Sequence, residues 1–288
     1  MKTFQNITKT RLWAVVVLSL ALTSCQKEFN AKTYAPSKPA PTFSGYSSSA
    51  EIEPSHLVAY WPFSGTLADS LSGTLGVATG TSFTAGIEGK GLQGALNSYV
   101  ITDAPAAIKS LHSFTASVWY NMAENTTGIV NLLDVVNNQY FWGNLDIFIE
   151  NPPNPTTGQL KVHMFNNGAS ISGVDGWEGD YLISSAYGQW NQITVSYDDT
   201  TGKITVYYNG ASAGSNTPTG FAPLNWSGVS QMVFGTVQFQ TNPSLTSATG
   251  SQPWASYLTG AMDQVRFYNE VLSTTQISAL YNLEKLGR

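Results

Sequence analysis

Phe114-Thr115-Ala116-Ser117-Val118-Trp119-Tyr120 alternates in character along its whole length. On an extended chain successive side chains point to opposite faces. Phe114, Ala116, Val118 and Tyr120 therefore share an apolar face, and Thr115, Ser117 and Trp119 share the other. The stretch predicts a half-buried β-strand, and the same period recurs on both sides of it. Ile193-Thr194-Val195-Ser196-Tyr197 and Ile204-Thr205-Val206-Tyr207-Tyr208 flank the polar, Gly-containing run Asp198 to Lys203, which reads as a hairpin. Asn209-Gly210 supplies the next tight turn. Gln231 to Phe239 and Ala261 to Tyr268 predict two further strands. One helix is predicted near the C-terminus: Ser273 is an N-cap with Gln276 three residues on, and Ile277, Leu280, Tyr281 and Glu284 follow at helical spacing. Many short strands joined by Gly, Pro and Asn turns, with no internal repeat, predict an all-β fold: an antiparallel sandwich with one short C-terminal helix.

Composition narrows the partners. Charged residues make up 11% of the 288 residues, aromatics 12%, and the net charge is −5. No Lys/Arg run or basic patch is present, which argues against a nucleic-acid surface. Few charges with many aromatic, hydroxyl and amide side chains suit a surface that meets neutral polar matter such as glycans, and equally suit an ordinary secreted β-protein. The single cysteine excludes an intrachain disulfide. A body of roughly 230 residues buries enough surface to fold without one.

The N-terminus reads as an address. Lys2, Lys9 and Arg11 precede the apolar stretch Leu12 to Leu22, which is too short to span a bilayer core of about 30 Å. Leu22-Thr23-Ser24-Cys25 resembles a bacterial lipobox, which implies cleavage before Cys25 and acylation of that residue. The expected organisation is a lipoprotein signal peptide at 1–24, an acylated Cys25 with a flexible Pro/Ser linker over 25–55, and the β-sandwich over 56–288. Two or more acyl chains anchor a protein stably to a leaflet without spanning it. The expected location is the cell envelope, lipid-anchored at the outer membrane; the mixed-charge Gln26-Lys27-Glu28 leaves the leaflet open.

Three segments carry a family resemblance. Leu57-Val58-Ala59-Tyr60-Trp61-Pro62-Phe63 is followed by Gly65, Leu67, Asp69 and Ser70. Ser113 to Tyr120 is the second, and Gly260 to Asn269, then Leu272-Ser273, the third; the Gln189 to Gly210 hairpin also fits. Together they resemble bacterial laminin G-like, concanavalin A-like lectin/glucanase domains. The resemblance implies a jelly-roll of two curved sheets. It leaves function open among glycan-binding modules, adhesion modules and companions of glycosidases. It also implies a structural calcium in some relatives, with Asp69 and Asp263 at matching positions. Asp263 is expected instead to join a buried network with Arg266.

Catalysis finds little support in the residues. Asn144-Leu145-Asp146-Ile147-Phe148-Ile149-Glu150 resembles the strand that carries the acids in some glucanases of this fold, but Asn144 stands where the nucleophilic glutamate would be. Asp146 and Glu150 lie about 13 Å apart on a strand, beyond the ~5–9.5 Å of glycosidase pairs. A carboxylate from a distant segment remains an open partner. His56, His112 and His163 fall in no metal-ligand spacing. Asp175, Glu178 and Asp180 read as a solvated acidic turn.

Sugar rings pack their C–H faces on flat aromatic side chains and take hydrogen bonds from amides and carboxylates. Trp61 and Trp190 are expected in the core. Trp142, Trp177, Trp226 and Trp254 lie in Gly/Asn/Pro-rich stretches and are either packed under their own loops or used. Trp142 and Trp177 are the expected platform, with Tyr140, Asn144 and Asp146 beside the first, and Trp119 is either a further candidate or covered by a loop. The leading expectation is non-catalytic glycan capture, alongside other proteins of a glycan-uptake system. A protein-interaction module, or a glycoside hydrolase or lyase with an unrecognised site, stands as the alternative.

Overall fold

The computed structural model describes residues 40–154 and 156–288. Cys25, the expected signal peptide and the expected linker up to residue 39 lie outside the described residues. Pro41–Arg288 form one compact unit. Two sheets of eight strands face each other. The first contains β1 (Leu57–Trp61), β3 (Ser82–Ala85), β4 (Lys90–Gln93), β6 (Phe114–Met122), β11 (Asn191–Asp198), β12 (Lys203–Tyr208), β13 (Ala211–Asn216) and β16 (Gly260–Tyr268). Its order is β13-β12-β11-β6-β16-β4-β3, with β1 also on β16. The second contains β2 (Val77–Thr79), β5 (Tyr99–Asp103), β7 (Ile129–Val135), β8 (Leu145–Asn154), β9 (Thr157–Asn166), β10 (Val174–Ser184), β14 (Gln231–Phe234) and β15 (Ala255–Ser256). Its order is β10-β9-β8-β7-β14-β5-β2, with β15 on β7.

The alternation read from the sequence sets the core. Phe114, Ala116, Val118 and Tyr120 of β6 meet Leu145, Ile147 and Ile149 of β8 and Leu160, Val162 and Met164 of β9 in one buried cluster. Burying side chains of this kind contributes about 1.5–3 kcal/mol each, before the entropy of ordering them. The hairpin forms as expected, with Ile193 opposite Tyr208 and Asp198 opposite Lys203. Asn209 and Gly210 both take positive φ, as a tight turn requires.

The opposite face of the first sheet is sealed too. Besides the one-turn helix α1 (Ala106–Lys109), the chain forms α2 (Thr274–Glu284), opened by the Ser273–Gln276 capping box. Helix α2 lays Ile277, Leu280 and Leu283 over Tyr207 and Tyr268. Trp119 stacks on Tyr281 (5.4 Å, 12°) and donates its indole N–H to Glu284 Oε2 at 2.7 Å. Trp119 is fully buried, so it is no ligand platform: a helix covers it. Glu284 also accepts from Arg266 Nε at 2.6 Å and Gln192 Nε2 at 2.8 Å. Burial raises the Glu284 pKa and the Arg266 guanidinium opposes that. Asp263, expected with Arg266, instead accepts the backbone N–H of Glu88 and of Gln264. A register shift between Asp263 and Arg266 separates the two.

Three local expectations change. Residues 41–55, read as linker, belong to the body: Ile52 is buried, Phe43 and Tyr46 pack against the α2 cluster, and Ser49–Glu51 form a 3-10 turn. Their apolar anchors are spaced irregularly among Pro and Ser, so no period betrays them. Trp190, expected in the core, is only half-buried and lines a shallow cleft with Gly188 and Gly260. The strand predicted over 231–239 ends at Phe234. Gly235 turns the chain with φ of 91°, and a 3-10 turn follows at Gln238–Gln240. That turn carries Gln238 back over the outer face of the second sheet.

Candidate functional site

The outer face of the second sheet carries polar side chains where β7, β8, β9 and β10 run side by side. Their registers place Asp134 opposite Asp146, Asp146 opposite His163, and His163 opposite Trp177. One row thus crosses four strands. It begins in a carboxyl and ends in an indole.

The row is hydrogen-bonded. His163 is fully buried. Its Nδ1 meets Asp146 Oδ2 at 3.0 Å, and its Nε2 meets Asp175 Oδ1 in a shorter contact. Both partners only accept when ionised, so both ring nitrogens carry protons and the ring is an imidazolium. Burial works against that charge, but the Asp146 and Asp175 carboxylates outweigh it and hold the His163 pKa above its ordinary value. Burial would raise the Asp175 pKa, yet the His163 contact lowers it below the usual carboxylate range. Burial, and after it the neighbouring Asp146 charge, pushes the Asp134 pKa well up and favours its protonated form.

Loops roof the inner end of the row. Gln238 donates its backbone N–H to Asp134 Oδ2 at 2.6 Å and its side-chain amide to the carbonyls of Tyr140 and Phe141. Gly143 passes so close that a Cβ there would lie 2.3 Å from Asp134 Oδ1, which is why glycine occupies the position. Asp134, Asp146, Asn131 and Asn144 have no solvent exposure. Asn144 donates to the Phe165 carbonyl at 2.7 Å. Asn144 and Asp146, expected to touch ligand, are therefore sealed beneath the site and act through what they hold.

The outer end is open. Trp177 is 40% exposed and Trp254 39%. The Trp177 ring sits 4.5 Å from His163 and meets Trp142 edge-on at 5.4 Å, and its indole N–H donates to Asp175 Oδ2 at 3.1 Å. Trp142 is half-buried and stacks on Phe148 at 5.6 Å and 7°. Tyr140 stacks on Phe165 at 4.0 Å. Of the expected platform residues, the structure thus brings Trp142, Trp177 and Tyr140 together. His163 and Lys161 carry no local signal for this site, because only strand register assembles them; Trp254, a loop tryptophan in the sequence, reaches Trp142 at 6.0 Å.

Beside Trp177 lies a polar cleft of about 330 Å³ lined by Lys161, Glu178, Gly179 and Asp180. Lys161 bridges Glu150 (3.0 Å) and Asp180 (2.9 Å). Glu178 is buried apart from the cleft and has no hydrogen-bond partner among the described residues, and burial pushes its pKa up to about 7. The expected solvated turn is therefore a strand segment: Glu178 and Asp180 border the groove, and Asp175 meets His163. A raised folded pKa favours the fold at low pH and that contribution is lost as pH rises through about 7. Glu178→Gln is expected to raise the melting temperature at pH 8 and leave it nearly unchanged at pH 4, below the unfolded value, as thermal melts at both pH values will show.

The two expected calcium ligands do not fit that role as placed. Asp69 Oδ1 accepts from the backbone N–H of Tyr60 and Leu71, and Oδ2 from the Ser72 N–H and hydroxyl, which fills the carboxylate. Both oxygens of Asp263 are likewise engaged by backbone N–H groups. Among the described residues, the group of three acidic or imidazole side chains close enough to share an ion is Glu53, His56 and Glu270, on a different part of the body.

Comparisons with known proteins agree with this architecture. The binding domain of Paraclostridial Mosquitocidal Protein 1 superposes with a TM-score of 0.59 at 18% identity, over 79% of this chain and 52% of that one. The binding domain of Botulinum Neurotoxin DC, solved in complex with SialylT, gives 0.55 at 13% identity over 80% and 52%. Domain 4 of AbnA, a GH43 extracellular arabinanase from Geobacillus stearothermophilus solved with arabinotriose, gives 0.50 at 20% identity over 78% and 98%. The chain spans about half the length of the two toxin domains, and at these identities the likeness is one of fold. No curated protein matches the sequence. The Laminin_G_3 family model matches residues 93–278, from the end of β4 into α2, and so takes in the four-strand row and its roof. With the motifs of β6 and β16 inside that span and two facing antiparallel sheets built from them, the chain belongs to the concanavalin A-like lectin/glucanases superfamily.

Proposed function

We propose that this chain is a non-catalytic glycan-binding module, held at the cell envelope by lipid on Cys25. The observation that carries the glycan reading is Trp177: an indole left open to solvent, braced by Trp142 and His163, beside a cleft of charged and polar groups. A fixed ring loses little entropy when a sugar face settles on it. Asp180 and Lys161 supply hydrogen bonds for its hydroxyls. The solved relatives add support, since their complexes hold SialylT and arabinotriose on the same fold. Capture rather than hydrolysis is favoured because Asp134 and Asp146, the facing carboxyls of the outer face, are sealed from any substrate.

Calorimetric titration against a panel of oligosaccharides tests this. Weak, saturable binding to at least one member is expected; binding to none, by protein that melts cooperatively, overturns it. The anchor rests on the lipobox resemblance, and a clickable palmitate analogue fed to expressing bacteria is expected to label the chain and not its Cys25→Ala variant. A second reading, as a protein-docking module, draws on Leu71, Leu75, Val77 and Leu96, which stand exposed on and around the edge strand β2.

A further inference from the structure

The largest cleft described lies away from Trp177, at the far edge of the same sheet. It measures about 720 Å³, within the range of ligand sites. Thr79 of β2, Asn97, Tyr99 of β5, Asn242, Ser251 and Tyr257 contribute to its lining. Every lining side chain is uncharged, in contrast to the Lys161–Asp180 cleft.

Two kinds of side chain meet there. One kind is locked. Tyr99 and Tyr257 stack at 6.4 Å and 20°. The Tyr99 hydroxyl accepts from the Asn242 N–H at 2.9 Å and donates to its carbonyl at 3.3 Å. The Tyr257 hydroxyl donates to the Gln240 carbonyl at 2.8 Å, and the Gln240 amide is fixed by Ala255 and Gln252. The other kind is free. The side chains of Thr79, Asn97, Asn242 and Ser251 make no hydrogen bond among the described residues, and all four are exposed. The groove thus has rigid walls and idle amide and hydroxyl groups on its surface.

We infer that this groove is a second binding site, for an uncharged polyhydroxylated chain. Its place and neutrality stand on the lining alone; the choice of a sugar among polyols rests on the glycan reading above. An anion finds no cation in the groove and a cation no carboxylate, whereas a sugar hydroxyl both donates and accepts, as the free amides and hydroxyls do. Five strand spacings separate β10 from β5 in the sheet order, or about 24 Å. A polysaccharide lying across the outer face reaches both sites, and binding at one raises the effective concentration at the other.

Hydrogen–deuterium exchange of the full chain tests this with laminarin, mannan and linear arabinan as uncharged probes. It is run on the wild type, on Trp177→Ala, and on Asn97→Gly/Asn242→Ala. Glycine is chosen because Asn97 has φ of 60°. At least one probe is expected to slow exchange in residues 77–79 and 240–251 of the wild type and of Trp177→Ala. Asn97→Gly/Asn242→Ala is expected to lose that protection and bind about tenfold more weakly, with an unchanged melting temperature. Protection confined to residues around Trp177 overturns the second site and leaves the Trp177 reading standing. Protection at 77–79 and 240–251 that ignores Trp177→Ala, with none around Trp177, supports the second site and overturns the first. Wild-type protein protected nowhere by any probe overturns both.

Discussion

His163→Ala is expected to destabilise the fold by about 3–5 kcal/mol, the cost of stripping one member from a buried ion pair. For a body of this size that lowers the melting temperature by roughly 10 °C. Asp175 recovers water when the ring is lost, since its side chain is 41% exposed. Asp146 does not: it is fully buried, and its neighbours are Asn131 and Asp134, whose protonated form is favoured. The pH profile separates this from simple loss of packing. The His163 pKa is raised in the fold, so its stabilisation is full below about 6.5, the unfolded value, and is lost as pH rises through the higher folded value. Asp175 is lowered, so its contribution is present above about 4 and lost as pH falls. Asp134 and Asp263 have raised values and, like His163, favour the acid side; burial puts Asp263 at about 7. Stability is therefore expected to be greatest in mildly acid solution. Denaturation by urea across the pH range is expected to show a shallower alkaline limb in His163→Ala than in the wild type. Identical pH profiles in both proteins would contradict the imidazolium assignment.

Trp177→Ala is expected to weaken glycan binding about 10- to 100-fold with little change in stability. Burying a large apolar side chain is worth about 1.5–3 kcal/mol, and each 1.4 kcal/mol is a factor of ten. The indole already faces solvent on one side, so its removal leaves a smaller gap than a core truncation. Trp177→Phe keeps a flat ring while losing the indole N–H that holds Asp175, and is expected to retain most of the affinity. Titration calorimetry of both variants against the same oligosaccharide checks this. An Ala variant that binds like the wild type would move the site elsewhere.

Much of the fold was legible in the alternating strands, because a period of two has one structural meaning when one face must be buried. Phe114 to Tyr120 and the hairpin at 193–208 are the clearest cases. The helix was legible through Ser273 and Gln276, whose side chains declare a helix start chemically. Trp119 is covered, as one of its two readings expected, but by a helix rather than a loop, and that cover lies outside its own strand. Its polar-facing position is covered by α2, more than 150 residues on, and nothing near Trp119 announces that cover. The site was half legible. Trp142 and Trp177 stand out as bulky aromatics in Gly/Asn-rich sequence, and they do converge. His163 does not stand out, because its partners Asp146 and Asp175 are supplied by two other strands in a particular register. The roof at Gln238 was hidden inside an apparent strand, broken only by Gly235. Register and loop cover are long-range outcomes of packing, and a local pattern does not encode them.

The most direct test of the sugar-platform reading follows the indoles themselves. The mature chain from Cys25 on, labelled with 5-fluorotryptophan, gives one fluorine resonance for each tryptophan that follows Cys25, and Trp177→Phe assigns the one that matters. On addition of laminarin, mannan and linear arabinan in turn, the Trp177 resonance is expected to shift and saturate with at least one of them, while that of Trp119, sealed beneath α2, stays fixed. A Trp177 resonance that none of the three moves would contradict the account.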